Sequence, residues 1–291
     1  MRLQRTLKKE VSIAGIGLHT GQSTSVKLMP APRDNGIVFY RRDRDVFIKA
    51  DLNSVSDTAF ATTLGSNGTK VKTVEHILAA LSGLGIDNLL IEVSGPEIPI
   101  LDGSSSGFVE LILSAGVAKQ AEKMPHLRIL KPVFFKEANT EICVLPYDGT
   151  LITYQASFDH NLIGRQKMSI RLNEETFVKE LAPARTFGFL KDIANMRANG
   201  LAKGGSLENA IILSDIGVVN KTGLRFQDEF IRHKVLDFIG DISLIGLPVY
   251  GHIHAIKTGH TTNIKFAKKL LSSEDCWEIV SEHSLSQVAY N

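Results

Sequence analysis

Three groups of ionisable residues, far apart in the chain, have the types and spacings that metal-assisted proton chemistry needs. They are Glu75-His76, then His233-Lys234 with Asp237 and Asp241, then His260 in the stretch Lys257-Thr-Gly-His260. Two imidazoles and one carboxylate make the protein ligand set of a catalytic zinc, whose fourth position stays open for water. A further Glu and a further His are then free to move protons. No one group is specific by itself. A polar helix start would account for Glu75-His76, a solvated face for His233 and Asp237, and a surface loop for His260. Together they point to a metal-dependent hydrolase.

The elements that must position these groups follow from periodicity. Successive helical residues turn by about 100°. Over 73–84, with Val74 at zero, Ile77, Leu78, Leu81 and Leu84 fall between about 280° and 40°, a core-facing stripe. His76, Ala79, Ala80 and Gly83 lie opposite, on a face small enough for another element to come close. Thr73 is the expected N-cap, which puts Glu75 and His76 in the first turn. Over 228–242, Ile231, Val235, Leu236, Phe238 and Ile239 form the apolar face. His233, Lys234, Asp237 and Asp241, joined by Gly240, form the other. His233 and Asp237, at i and i+4, can aim at one metal; the plainer reading is a weak contact of a few tenths of a kcal/mol. His260 is expected in a loop, between a strand at 249–257 and a helix at 262–271.

Strands are also expected at 11–16, 24–28, 37–41, 46–50 and 88–93, with a helix at 106–115 and a polar linker at 119–125. In the second half the expected strands are 133–136, 141–145, 151–157 and 167–171, with a helix at 174–181. Helix, strand, loop and helix thus close both halves. Glu75-His76-Ile-Leu-Ala-Ala-Leu weakly echoes Arg232-His233-Lys-Val-Leu-Asp237. The reading is an α+β fold of two similar domains from an internal duplication, 1–120 and 126–291. Residues 188–220 have no counterpart in the first half and read as an insertion.

A length of 291 residues suits two domains. The formal charge of +2 leaves no nucleic-acid footprint. The one dense basic run, residues 40–45, is interrupted by acids and reads as a solvated loop. Cys143 and Cys276 form no zinc or disulfide pattern, which fits a reducing compartment. The N-terminus lacks a signal-peptide core, and no apolar run approaches the ~20 residues of a membrane span. A cytoplasmic protein is expected. His126, His160 and His283 have no supporting context. His252 and His254 alternate on one strand face; they read as strand-surface residues, with a metal pair as the alternative.

Five segments in one order carry a resemblance: Gly15-Ile-Gly-Leu-His19-Thr-Gly21, Thr73-Val-Glu75-His76, Ala184-Arg-Thr186-Phe187-Gly188-Phe189, Arg232-His233-Lys234 with Asp237, and Gly259-His260. Together they closely resemble the UDP-3-O-acyl-N-acetylglucosamine deacetylases, zinc enzymes of lipid A biosynthesis, over nearly the whole chain. The resemblance implies two α+β domains packed face to face, the site between them and one insert in each. It implies zinc ligands His76, His233 and Asp237, Glu75 as general base, and His260 as general acid with Asp241 as its partner. Thr186 would help hold the oxyanion. Lys234, Asp192 and Lys257 would contact the nucleotide-sugar, and Phe187 the sugar or acyl chain. His19 lies in a family signature without a role that its chemistry assigns. The second insert would border an acyl passage, with apolar side chains from Phe189, Leu190, Ile193, Met196 and Leu201. The implied reaction releases acetate from a UDP-linked acylated glucosamine, and the expected state is a monomer. A zinc amidohydrolase of another acylated substrate and a non-catalytic binding module of the same fold stay open; a metal assay separates the second.

Overall fold

The computed structural model describes residues 1–158, 160 and 163–282. His283 and the end of the expected second domain lie outside the described residues. The first half runs β1 (Leu3–Leu7), β2 (Val11–Ile16), β3 (Ser23–Pro30), β4 (Ile37–Arg41) and β5 (Val46–Lys49). It continues through β6 (Val55–Asp57), β7 (Thr63–Ser66), β8 (Thr69–Val71), α1 (Glu75–Gly83), β9 (Leu89–Val93), α2 (Ser106–Ala115) and β10 (Val117–Lys123). Alternation sets the strand faces: Thr24, Val26 and Leu28 of β3 point inward, as do Leu89, Ile91 and Val93 of β9. The sheet order is β2-β3-β9-β4-β5, with β9 antiparallel to β3 and parallel to β4.

The second half repeats this plan with β11 (His126–Ile129), β12 (Val133–Glu137), β13 (Thr140–Leu145), β14 (Thr150–Ser157) and β15 (Arg165–Arg171). After α3 (Glu174–Thr176) come β16 (Phe187–Phe189), α4 (Leu190–Ala198), β17 (Ile211–Ser214) and β18 (Gly217–Val218). Then follow α5 (Glu229–Ser243), β19 (Val249–Ile256), α6 (His260–Leu271) and β20 (Trp277–Val280). Here β19 is antiparallel to β13 and parallel to β14, with β12 and β15 outermost, the same arrangement as around β9. An antiparallel pair brackets each half, β1 with β10 and β11 with β20. Each central strand follows one helix and precedes another. Such a repeat is what an internal duplication predicts, over far more chain than the helix echo.

The two halves share one continuous apolar core, including Leu28, Phe39, Ile77 and Ile91 from the first and Ile152, Phe238, Ile253 and Ala255 from the second. At its centre α1 packs on α5 through the small face read from the sequence. Ala79, Ala80 and Gly83 are buried, and a Cβ at Gly240 would overlap the Glu75 carbonyl oxygen. Glycine at 240 therefore lets the two chemistry-bearing helices touch backbone to backbone.

Several expectations are corrected. Residues 119–125 are not a linker: Val117–Lys123 is an edge strand paired with β1, with Lys119, Ala121 and Lys123 exposed on one face and Gln120 and Glu122 half-buried on the other. The helix at 174–181 is one α turn followed by a π-helical turn at Phe177–Leu181. Thr73 does not cap α1; Val74 holds that position, and the Thr73 hydroxyl donates instead to Glu97 Oε1 at 2.8 Å, from a backbone at φ 59°. His260 is not in a loop but opens α6. The insertion has a positional counterpart after all, the small sheet β6-β7-β8 between β5 and α1. Its tight turn, Asn67-Gly68 with φ 48° and 75°, is a hairpin signal that the sequence displays. Among the described residues no helix is long and apolar enough to cross a membrane.

Candidate active site

The first turn of α1 and the polar face of α5 meet in a cavity of about 230 Å³. It is lined by Glu75, His76, His233, Lys234, Asp237 and His260, with Leu18, Phe60, Thr73, Thr186 and Phe187. His233 Nε2 lies 3.2 Å from Asp237 Oδ1, and His76 Nε2 lies 3.5 Å from the same oxygen. Among the described residues these three form the group whose donor atoms all fall within 4.8 Å of one another.

The arrangement fits a metal. Asp237 Oδ1 is buried without a hydrogen-bond partner, though two imidazole nitrogens face it. A buried carboxylate oxygen left this way is costly unless a cation completes it. Burial lowers His233 to a pKa of about 4, so the ring is neutral as a ligand must be. Its Nδ1 lies 3.0 Å from the Ala184 carbonyl oxygen. Donating there fixes the tautomer and leaves the Nε2 lone pair toward Asp237. Burial would raise Asp237, but His233 and Lys234 outweigh it and hold the carboxyl well below its usual range. Lys234 Nζ donates to Asp237 Oδ2 at 3.1 Å; burial works against its charge, but Asp237 keeps the ammonium above its ordinary pKa.

Beside the ligand group sit the carboxylate and imidazole that remain. Glu75 Oε2 accepts the Thr62 N–H at 3.0 Å, and Oε1 lies 3.9 Å from His260 Nε2. Burial raises the Glu75 pKa, opposed by His260 and His76. His260 Nδ1 is 2.9 Å from Asp241 Oδ2. Burial would lower His260, but Asp241, and then Glu75, raise it to about 9. Asp241 itself is fully buried and accepts the Thr62 hydroxyl at 2.6 Å and the Asn263 amide at 2.8 Å. Thr62 and Asn263 were not singled out in the sequence. Asn263 could have been, since it sits three residues after His260 on one helix; Thr62 lies outside every motif.

Thr186 and Phe187 connect this cavity to a second, of about 350 Å³ and mainly apolar, lined by Leu190, Ile193 and Met196 of α4 and by Leu207, Ala210 and Ile212. His19 lines it too, its backbone N–H donating to Glu97 Oε1 and its Nδ1 accepting the Ala202 N–H. Burial lowers the His19 pKa. Phe189 instead packs in the insert's own core and Leu201 borders a smaller cavity. The ring of Phe187 stands 6.2 Å from that of His233, and Lys234 Nζ lies 5.8 Å from it.

Two expected substrate contacts are not brought to either cavity. Asp192 is exposed on the first turn of α4. Lys257 is exposed in the turn before α6, its backbone bonded to Gln155 and Thr140. The remaining histidines lie elsewhere: His126 stacks on Tyr250, His160 Nε2 meets the Ser214 carbonyl, and His252 stacks beside His254 and reaches Thr153. Both cysteines are free thiols.

Comparison with known proteins gives one answer. The family model described as LpxC, UDP-3-O-acyl N-acetylglycosamine deacetylase, matches residues 4–272. A Thermodesulfovibrio yellowstonii protein named UDP-3-O-acyl-N-acetylglucosamine deacetylase is 51% identical over 282 residues, 97% of this chain and 96% of its own length. Proteins of the same name from Syntrophotalea carbinolica and Myxococcus xanthus are 46% and 47% identical, spanning 96% and 95% of this chain and 91% and 89% of theirs. On this match, which runs through every segment that builds the cavity, the chain belongs to the UDP-3-O-acyl-N-acetylglucosamine deacetylase family.

Proposed function

We propose that the chain hydrolyses the N-acetyl amide of UDP-3-O-acyl-N-acetylglucosamine with a zinc ion, releasing acetate, as an early committed step of lipid A biosynthesis. The observation that supports this most is the buried convergence of His76, His233 and Asp237 beside Glu75 and His260, next to an apolar cavity.

His76, His233 and Asp237 would hold the ion, which when bound supplies Lewis acidity, bringing the pKa of a water toward ~7 and polarising the acetyl carbonyl. Glu75 takes the proton of the attacking water. Its Oε2 is engaged by Thr62, so Oε1 is the oxygen available, and its raised pKa makes it the stronger base. Thr186 donates its hydroxyl to the developing oxyanion. His260, with a pKa of about 9, enters protonated near neutral pH, Nδ1 held by Asp241. It presents Nε2–H to the departing amine. Lys234, Phe187 and His19, which line the two cavities, complete the contacts to the nucleotide-sugar. The acyl chain occupies the apolar cavity, where each buried methylene contributes about 0.8 kcal/mol.

The remaining assignments are a cytoplasmic monomer divided at 1–120 and 126–291. The test measures acetate release from UDP-3-O-acyl-N-acetylglucosamine beside its un-nucleotidylated analogue, with zinc content determined on the same preparation. The proposal expects turnover that depends on zinc and strongly prefers the nucleotide-sugar. Equal rates on both substrates would point to a different acylated substrate, and a zinc-free, inactive chain to a binding module.

A further inference from the structure

The stripe along α5 does not begin at His233. Glu229, His233, Asp237 and Asp241 follow one another at i, i+4 spacing, and all four are buried. The last three already have roles in the proposed reaction; Glu229 has none. Its carboxylate, fully out of solvent, takes four donors. Oε1 accepts the Arg185 backbone N–H at 3.0 Å and Arg185 Nε at 2.8 Å. Oε2 accepts Arg185 Nη2 at 3.1 Å and the Arg225 backbone N–H at 2.6 Å. Arg185, itself 5% exposed, spends its remaining reach on the Gly223 carbonyl.

A buried ion pair of this kind is weak evidence for stability, because desolvating two charges offsets their attraction. Its location gives it another use. Arg185 lies between Ala184, whose carbonyl meets His233 Nδ1, and Thr186, which lines the catalytic cavity. The same carboxylate grips both the backbone and the side chain of Arg185. It therefore fixes segment 184–187 against the helix that bears the two ligands. Thr186 is tied on its other sides to Gly103 and Ile211 by backbone bonds of 2.7 and 2.8 Å.

We infer that Arg185 and Glu229 form a positioning clamp that holds the Ala184 carbonyl on His233 and the Thr186 hydroxyl over the reacting carbonyl. The inference rests on the proposed roles of His233 and Thr186. Neither clamp residue touches substrate; each acts through its neighbours.

Zinc affinity and steady-state kinetics of full-length Arg185→Lys and Glu229→Gln test it, with circular dichroism to confirm folding. Lysine keeps the charge but lacks the fork, and glutamine keeps the shape but loses two acceptor positions. The double variant Arg185→Met, Glu229→Met leaves no orphaned charge and serves if the single variants do not fold. The clamp predicts kcat lower by about 10–100-fold, KM within about twofold and zinc bound about tenfold or more weakly, the usual scale for groups that orient a ligand. The double variant should recover stability without recovering either. Any folded variant with wild-type kcat and zinc affinity overturns the clamp. A wild-type protein that binds zinc but releases no acetate would sink the substrate reading, while the loss of zinc affinity in the variants would still support the clamp.

Discussion

Helices α1 and α5 occupy the same place in two halves built to one strand order, yet they carry unequal shares of the chemistry. Helix α1 has nine residues and places in its first turn the proposed base, Glu75, and one proposed ligand, His76. Helix α5 has fifteen and lines up Glu229, His233, Asp237 and Asp241 along one side. The difference follows from packing. Helix α1 is apolar nearly all round and is buried on both faces, so polar groups fit only at its open end. Helix α5 keeps one face for the core and turns the other into the junction between halves. A repeated fold can thus supply two helices to one seam while only one becomes the polar spine. In the proposed reaction, proton transfer is then shared across the seam, with Glu75 from the first half and the imidazole of α6, held by Asp241, from the second.

Removing ligands should break the comparison most severely. His76→Ala, His233→Ala and Asp237→Ala are each expected to lose zinc and nearly all turnover with the fold retained, as metal analysis and circular dichroism would report. Full zinc retention in all three would contradict the assignment. Next come the proton carriers, one on each side of the seam. Glu75→Gln and His260→Gln should each slow kcat/KM by roughly 10²–10⁴-fold while zinc stays bound. A near-wild-type rate for Glu75→Gln would remove the base role.

These predictions also show how far the sequence could be read. The helix phases were legible because they are local: a period of 3.6 places Ile77, Leu81, Val235 and Phe238 inward without knowledge of what they meet. The candidate metal-binding face is legible for the same reason, through the i, i+4 pair His233 and Asp237, which the structure brings together with His76. What escaped depends on contacts distant in sequence. Thr62 bridges Glu75 and Asp241 from a segment with no motif. The Glu97 carboxylate that draws Thr73 away from capping lies beyond β9. Strand β10 reads as a linker because an edge strand tolerates Lys119 and Lys123 on its outward face and Gln120 and Glu122 half-buried on the other, and its partner β1 stands at the other end of the domain. Glu229 and Arg185 were hidden by the same distance.

Smaller effects sharpen the picture of the second half. Asp241 first, then Glu75 and Asp237, raise His260 from 6.5 to about 9, against burial. In Asp241→Asn the largest raising influence is gone and only Glu75 and Asp237 still oppose burial, so the alkaline limb of kcat/KM should move down toward neutral pH. The pair's stabilisation has the matching sign. It is fully present below pH 6.5 and is lost as pH rises through about 9, a dependence that should shrink in thermal melts of the variant. An unmoved limb would mean that another group sets it. Smallest is the acyl effect. Ile193→Ser and Met196→Ser should lower the long-to-short acyl-chain ratio of kcat/KM by about fourfold for each acyl methylene no longer buried. An unchanged ratio in folded variants would mean these side chains only pack the insert.

The seam between α1 and α5 as a single metal-dependent catalytic site is tested most directly by titrating metal-stripped protein with zinc while measuring acetate release from UDP-3-O-acyl-N-acetylglucosamine. Activity should be absent at the start, rise in proportion to added zinc and level off at one equivalent per chain. Activity that survives stripping, or that never appears as the site fills, would contradict the account.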